Sequence, residues 1–357
     1  MRVFDSVKYK MIKKYINFVV ILVIIILMFP VLITLVLNKV NVNDKKNNII
    51  LSGKTIVIEN GIYKQTMDLE YFIPCVLMAE MPLDSPIEAL KAQAVVIRTY
   101  ILKQMGKNHS INSRQLKLPY VEYGQLQNMW FEKYIKNNIE SLGGILCNFT
   151  GIGKSISFKE NSEYLYSIIE KTNLKVLKKD GTLVLPLFHE TSNGKTRDGG
   201  EILGNSYAYL KSVNCKTDLQ NNEYIGIKYF TMEEIQDCFK KHGIIFYKEN
   251  KEIFHDNNLD IKSFLKLIDI SLKDKSDYQL IVKIGDTKIE GETFSKALGL
   301  NSTSMDIEEY ESGVRITTKG VGHGFGMSLS YAKQLAKDGK QWKDILKTFY
   351  DVAIVDY

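Results

Sequence analysis

The sequence predicts an α+β protein: a single N-terminal transmembrane helix, then one extracytoplasmic mixed α/β domain with a candidate inserted subdomain. Three observations lead there. Residues 15–37 form an uncharged, almost wholly apolar run. Beyond residue 54, strand-like and helix-like stretches mix without the regular alternation of a doubly wound sheet. No internal repeat is present.

The apolar run is long enough to cross a bilayer, which takes roughly 20 residues. Arg2, Lys8, Lys10, Lys13 and Lys14 precede it. By the positive-inside rule residues 1–14 become a cytoplasmic tail, and the rest lies outside. That expectation is a single-pass protein of the cell membrane. A cleaved signal peptide is the alternative, but Leu35-Val36-Leu37-Asn38-Lys39 lacks the small-x-small pattern of a cleavage site. The Asn- and Lys-rich stretch 38–53 reads as a polar stalk.

The domain proper spans 54–357. Thr55 to Ile58 reads as a strand. Leu69, Phe72, Ile73, Val76 and Leu77 have helical spacing, with Pro74 marking the start of the helix proper. Pro82 stops it. Ser85, Pro86 and Glu88 form a capping-box pattern for a second helix, rich in small residues, that Gly106 ends. Leu183 to Phe188 is a strand candidate before the turn at Ser192-Asn193-Gly194. Residues 221–258 read as a charged insertion with one amphipathic helix, Met232 to Lys241. Strands follow at 280–284 and 313–317, then helices at 330–337 and around Trp342 to Tyr350.

Composition narrows the partners. Of 357 residues, 45% are hydrophobic and 25% charged, an ordinary globular balance. A net charge of +6 with interspersed Lys and acid gives no basic stripe for nucleic acid. Cys75, Cys147, Cys215 and Cys238 form no CxxC pair and have no His at ligand spacing, so they read as buried thiols. No metal or other cofactor is expected.

Glu80 shares the apolar stripe of its helix, a costly place for a carboxylate. Burial there raises its pKa and makes it a proton donor near neutrality. The plainer reading is a helix-end Glu that bends out to solvent. Lys91 and Arg98, seven apart on one helix face, read either as groups that orient an anionic substrate or as structural cations. His323 sits among Gly320, Gly322, Gly324 and Gly326, either lining a substrate or holding the turn. No phosphate loop or serine-hydrolase elbow is present.

Together these stretches resemble a known family. Glu80-Met81, then Glu88-Ala89-Leu90-Lys91-Ala92-Gln93-Ala94-Val95 and Arg98-Thr99-Tyr100, resembles the signature of stage II sporulation protein D. Phe188-His189-x-Thr191-Ser192-x-Gly194-Lys195-Thr196, Tyr209 to Val213, Leu298 to Ser302 and the glycine stretch 320–328 agree in the same order.

The resemblance implies a lytic transglycosylase acting on peptidoglycan glycan strands. Glu80 maps to the general acid. Arg98 and Lys195 map to substrate contacts, with Lys91, His189, Thr191, Ser192 and His323 as further binding candidates. A second carboxylate is unnecessary, because the sugar's own 6-hydroxyl attacks the anomeric carbon and leaves a 1,6-anhydro end. The implied partners are a membrane-bound wall amidase and a membrane scaffold protein of the engulfment complex; a homodimer stays open. The alternative is a non-catalytic peptidoglycan-binding or amidase-activating module of the same fold. Three departures stand out. Leu329-Ser330-Tyr331 replaces the usual Gln-Tyr-Gly, Glu190 replaces a usual Ser, and an Arg often found before Leu298-Gly299-Leu300 is missing.

Overall fold

The structure is a computed structural model that describes residues 49–60, 63–122, 125–126, 128–129, 152–254 and 259–357, all within the unit Ile49–Tyr357. It is α+β.

One expectation is corrected at once. Among the described residues no helix is long and apolar enough to cross a membrane. The two longest, Ile87–Met105 and Ile152–Lys171, carry charged side chains along their length, such as Lys91 and Arg98 in the first. A single N-terminal transmembrane helix is therefore not supported. Neither is single-pass membrane localisation with a cytoplasmic N-terminus. The run 15–37 on which both rested lies outside the described residues, as do Cys147 and most of the expected stalk. The end of that stalk is fastened: Asn173 Oδ1 accepts from Ile50 N at 2.8 Å, and Asp68 accepts from Gly53 N at 3.0 Å.

Lobe one opens with the hairpin β1 (Thr55–Asn60) and β2 (Tyr63–Asp68). Asp68 then caps α1 (Leu69–Glu80), accepting from Glu70 N. The stripe Leu69, Phe72, Ile73, Val76 and Leu77 is fully buried, as its spacing requires. Pro74 lies inside α1 rather than starting it. Next comes α2 (Ile87–Met105), the central element, packed against α1 and most of the other helices of this lobe. Ala89, Ala92 and Ala94 are buried and let those neighbours approach closely. The anticipated capping box does not form. Glu88 is drawn instead to Lys91 Nζ at 2.5 Å and to the backbone N–H of Trp342 at 2.9 Å.

β3 (Ser110–Asn112) pairs in parallel with β1. After the short α3 (Ser113–Leu116) and α4 (Ile152–Lys171) come β4 (Lys175–Lys179), β5 (Thr182–Leu183) and β6 (Phe188–His189), then α5 (Gly199–Leu203).

Lobe two has its own hydrophobic core, built from Ile235, Phe239, Phe246, Phe264, Phe294, Val314 and Ile316 among others. It begins with the edge strand β7 (Ile225–Phe230) and α6 (Met232–Lys241), the amphipathic helix expected at those residues. It continues through β8 (Tyr247–Lys248), β9 (Lys251–Glu252), α7 (Ile261–Leu267), β10 (Ile268–Asp269), β11 (Ile281–Ile284), β12 (Thr287–Glu290) and α8 (Gly291–Ala297). β13 (Met305–Tyr310) and β14 (Gly313–Lys319) complete an antiparallel sheet of order β13-β14-β7. The second core thus reaches well beyond the charged stretch 221–258 read as an insertion.

The chain then returns to lobe one. β15 (Met327–Ser328) pairs in parallel with β6, followed by α9 (Leu329–Lys337) and α10 (Trp342–Phe349). β16 (Ala353–Asp356) pairs with β4.

Candidate active site

Glu80 is the last residue of α1, half-buried where the helix stops. Met81 takes an extended conformation and the chain turns away at Pro82. Burial, reinforced by the negative charge of Glu190, pushes the Glu80 carboxyl up to about 7. Two residues on, Pro82 lines a cleft of about 580 Å³ together with Glu190, Gln220, Asn221, Asn222, Glu223 and Lys333; Glu80 itself is not among the lining residues.

Lobe one's two chain segments build the far wall. Glu190 follows β6, and Lys333 lies on α9, which follows β15. The parallel β6–β15 pairing brings the two together. Ser330 N donates to Glu190 O at 2.9 Å, and Lys333 Nζ lies 3.0 Å from Glu190 Oε1. Ser328 caps α9, accepting from Tyr331 N. Its hydroxyl also donates to Asp218 Oδ2 at 2.7 Å, and the same oxygen receives Ser192 N and Ser192 Oγ. Asp218 is fully buried, and that burial raises its pKa against the pull of the serines.

The glycine stretch is a tight lining laid against residues 187–193. Gly326 has φ +69°, and a Cβ there would collide with Leu187 O. At Gly324 it would strike the Tyr278 ring at 2.5 Å. His323 lies in this turn with its ring 5.7 Å from that of His189. Phe325 N donates to His323 Nδ1, and His189 Nδ1 lies 3.1 Å from Phe325 O. Burial pushes His189 down to about 3 and His323 down to about 4, so both are neutral at pH 7. They hold the turn by hydrogen bonds and packing. Thr191 pairs through its backbone with Val321. The side chains of Thr191 and Ser192 are buried.

The cations expected at the site are elsewhere. Arg98 is 0% exposed. Its guanidinium makes a two-pronged pair with Glu70, each contact 2.7 Å, and donates to the carbonyls of Thr172 and Lys175. It is an internal strut. Lys91 is spent on Glu88 and is not among the residues lining the cleft. Lys195 borders a different pocket of about 210 Å³, with Asp198, Glu201, Asp274 and Lys275. The structure therefore gathers His189, Thr191, Ser192 and His323 around the glycine turn, sets Glu80 against Glu190, and leaves Arg98, Lys91 and Lys195 apart.

Three residues escaped the sequence reading. Lys333, Asp218 and Arg197 carry no local pattern; only Glu190 had a signal, as a charge in place of a usual Ser. Arg197 is the joint between the lobes, 2.6 Å from Asp274 and 2.9 Å from Glu292, with its guanidinium over the rings of Phe325 and Tyr278. Among the described residues no group of three or more His, Cys, Asp or Glu is placed to hold a metal ion. Cys75, Cys215 and Cys238 are free thiols.

Fold and site define a two-lobed α+β protein with one half-buried acid that feels the charge of Glu190, a wall residue of an open cleft. The stage II sporulation protein family model matches residues 60–141, the span that carries Glu80. Stage II sporulation protein D of Bacillus amyloliquefaciens is 25% identical over 294 residues, covering 80% of this chain and 73% of that protein. Its counterpart in Bacillus subtilis is 26% identical over 295 residues, covering 80% and 74%. A Bacillus subtilis protein named amidase enhancer is 24% identical over 311 residues, 77% of this chain and 39% of that protein. Over most of its length the chain is thus similar to stage II sporulation protein D, a sporulation protein.

Proposed function

We propose that the chain is a lytic transglycosylase that cleaves peptidoglycan glycan strands, with Glu80 as its acid and base. The observation that carries this is a carboxyl raised to about 7 by burial and by the charge of Glu190, a residue that lines an open cleft. Such a group holds its proton at neutral pH and gives it up when a leaving oxygen gains charge. Glu80 protonates the glycosidic oxygen as the bond to the anomeric carbon breaks. The resulting carboxylate then takes the proton of the same sugar's 6-hydroxyl as that oxygen bonds to the anomeric carbon. The product is a 1,6-anhydro end, and Glu80 returns to its protonated form. Glu190, held by Lys333, acts electrostatically and needs no covalent role.

The test is direct. The chain is incubated with peptide-free glycan strands and the products are analysed by mass. New 1,6-anhydro ends are expected, and Glu80→Gln, which keeps shape but removes the titrating proton, should lower cleavage by at least about a hundredfold, the scale of a general acid. A second reading is supported by the relative named amidase enhancer: a module that holds glycan or activates an amidase without cutting. Glycan binding with no 1,6-anhydro ends, with or without an amidase present, would decide for it.

A further inference from the structure

The cleft that Pro82 and Glu190 line has one ammonium among its lining residues, and a carboxylate of the same chain already holds it. Lys333 Nζ and Glu190 Oε1 are 3.0 Å apart. Both side chains remain reachable, with 23% of Lys333 and 28% of Glu190 exposed. Their backbones are fixed, because Ser330 N donates to Glu190 O and Ser328 caps the helix that carries Lys333. The charged tips therefore have freedom to exchange partners while their roots do not move. The amides of Gln220 and Asn222 on the same lining suit sugar hydroxyls, while that of Asn221 is bonded to Ser330 Oγ and Glu223 N. Arg98 is sealed inside the fold and Lys195 borders another pocket, so an acidic substituent entering this cleft meets Lys333.

We propose that Lys333 is a specificity residue that reads a carboxylate on the substrate, with Glu190 as its internal placeholder until the substrate's acid displaces it. This rests on the glycan-strand reading. The ligand class is a peptide-free muramyl glycan, whose 3-O-lactyl group carries a free carboxylate. Exchanging one carboxylate for another keeps Lys333 paired throughout, so no ammonium is stranded. Glu190, released, keeps its negative charge in the wall near Glu80. That charge favours the protonated form of Glu80, the form that donates. Occupation of Lys333 by the right substrate thus favours the state of the acid that cleaves it.

The experiment measures binding calorimetrically in the full chain carrying Glu80→Gln, so that the ligand stays intact. A peptide-free tetrasaccharide of alternating N-acetylglucosamine and N-acetylmuramic acid is compared with chitotetraose, which lacks the lactyl acid. The acid-bearing sugar should bind about two- to fivefold more tightly, the scale of a partly exposed ion pair. Adding Glu190→Gln removes the placeholder and should tighten the acid-bearing sugar further, leaving chitotetraose unchanged. Adding Lys333→Met should erase the difference between the sugars; Lys333→Gln replaces it if the Met variant loses its fold. The two substitutions act in opposite directions, which a purely structural role does not produce. Weaker or unchanged binding of the acid-bearing sugar in Glu190→Gln, a preference surviving loss of Lys333, or no binding of either sugar would overturn the proposal. Loss of cleavage with this binding pattern intact counts against the transglycosylase reading alone. Cleavage without the pattern counts against the placeholder alone.

Discussion

Glu80 has a measurable signature that does not depend on any substrate. Its folded value of about 7 lies above the ordinary 4.5, so the folded chain holds this proton more tightly than the unfolded one. Stability from that proton is complete below pH about 4.5 and is lost as pH rises toward 7. Glu80→Gln escapes the loss. Its Tm, relative to the parent, should therefore be higher at pH 8 than at pH 5, by about 2–4 °C per kcal/mol recovered. An offset independent of pH would remove the raised pKa. The same titration makes cleavage fall above pH about 7, where the acid is spent. Glu80 was legible in the sequence because a carboxylate on an apolar helical stripe breaks the local pattern. Lys333 was not, because a lysine three residues after Ser330 looks like any solvated helix face. Its partner, Glu190, is supplied by the bend after β6, 143 residues earlier.

Helices show both what local pattern can say and where it stops. The stripe of α1 and the amphipathic α6 are found where their spacing put them, since burial of one face follows directly from period. The capping box at Ser85 failed because Glu88 has a stronger offer from afar. The N–H of Trp342 opens α10 as an orphan helix donor, and Glu88 caps it across 254 residues. Arg98 is the other lesson. Its motif position suggested substrate, but its burial makes it the pin that joins α2 to Glu70 on α1 and to the carbonyls around β4. Arg98→Met alone strands the Glu70 carboxylate in the core and should cost about 3–5 kcal/mol in urea unfolding. The double variant Arg98→Met, Glu70→Leu should recover most of that. A single variant as stable as the parent would show that the pair does not hold these elements.

At the scale of the whole molecule, the two lobes are joined by polar contacts, among them those of Arg197 and Asn193. Arg197 supplies two ion pairs and two ring contacts, and Asn193 donates to Ser276 O and Ser304 Oγ. Arg197→Met should let lobe two open independently. Hydrogen exchange should then speed up at Tyr278 and its neighbours, ahead of any change in α2. Uniform protection in both lobes would contradict a hinge of this kind. The sequence marked part of lobe two as a charged stretch. Its full extent stayed hidden because β14, the strand that closes it, reads like any other alternating strand until its partner β7 is known.

Lobe two is continuous in the chain, whereas lobe one is interrupted by it and closed only by the segment after Gly320. This sets an order of birth. As the chain leaves the ribosome, lobe two has all its strands while lobe one still lacks α9, α10 and β16. Glu80 and Glu190 are synthesised early, but Lys333 on α9, which pairs with Glu190, follows 143 residues after it and joins through a long-range closure, the slow kind of folding step. The acid is thus made long before its cleft, and the nascent polypeptide stays chemically silent until its last helices pack.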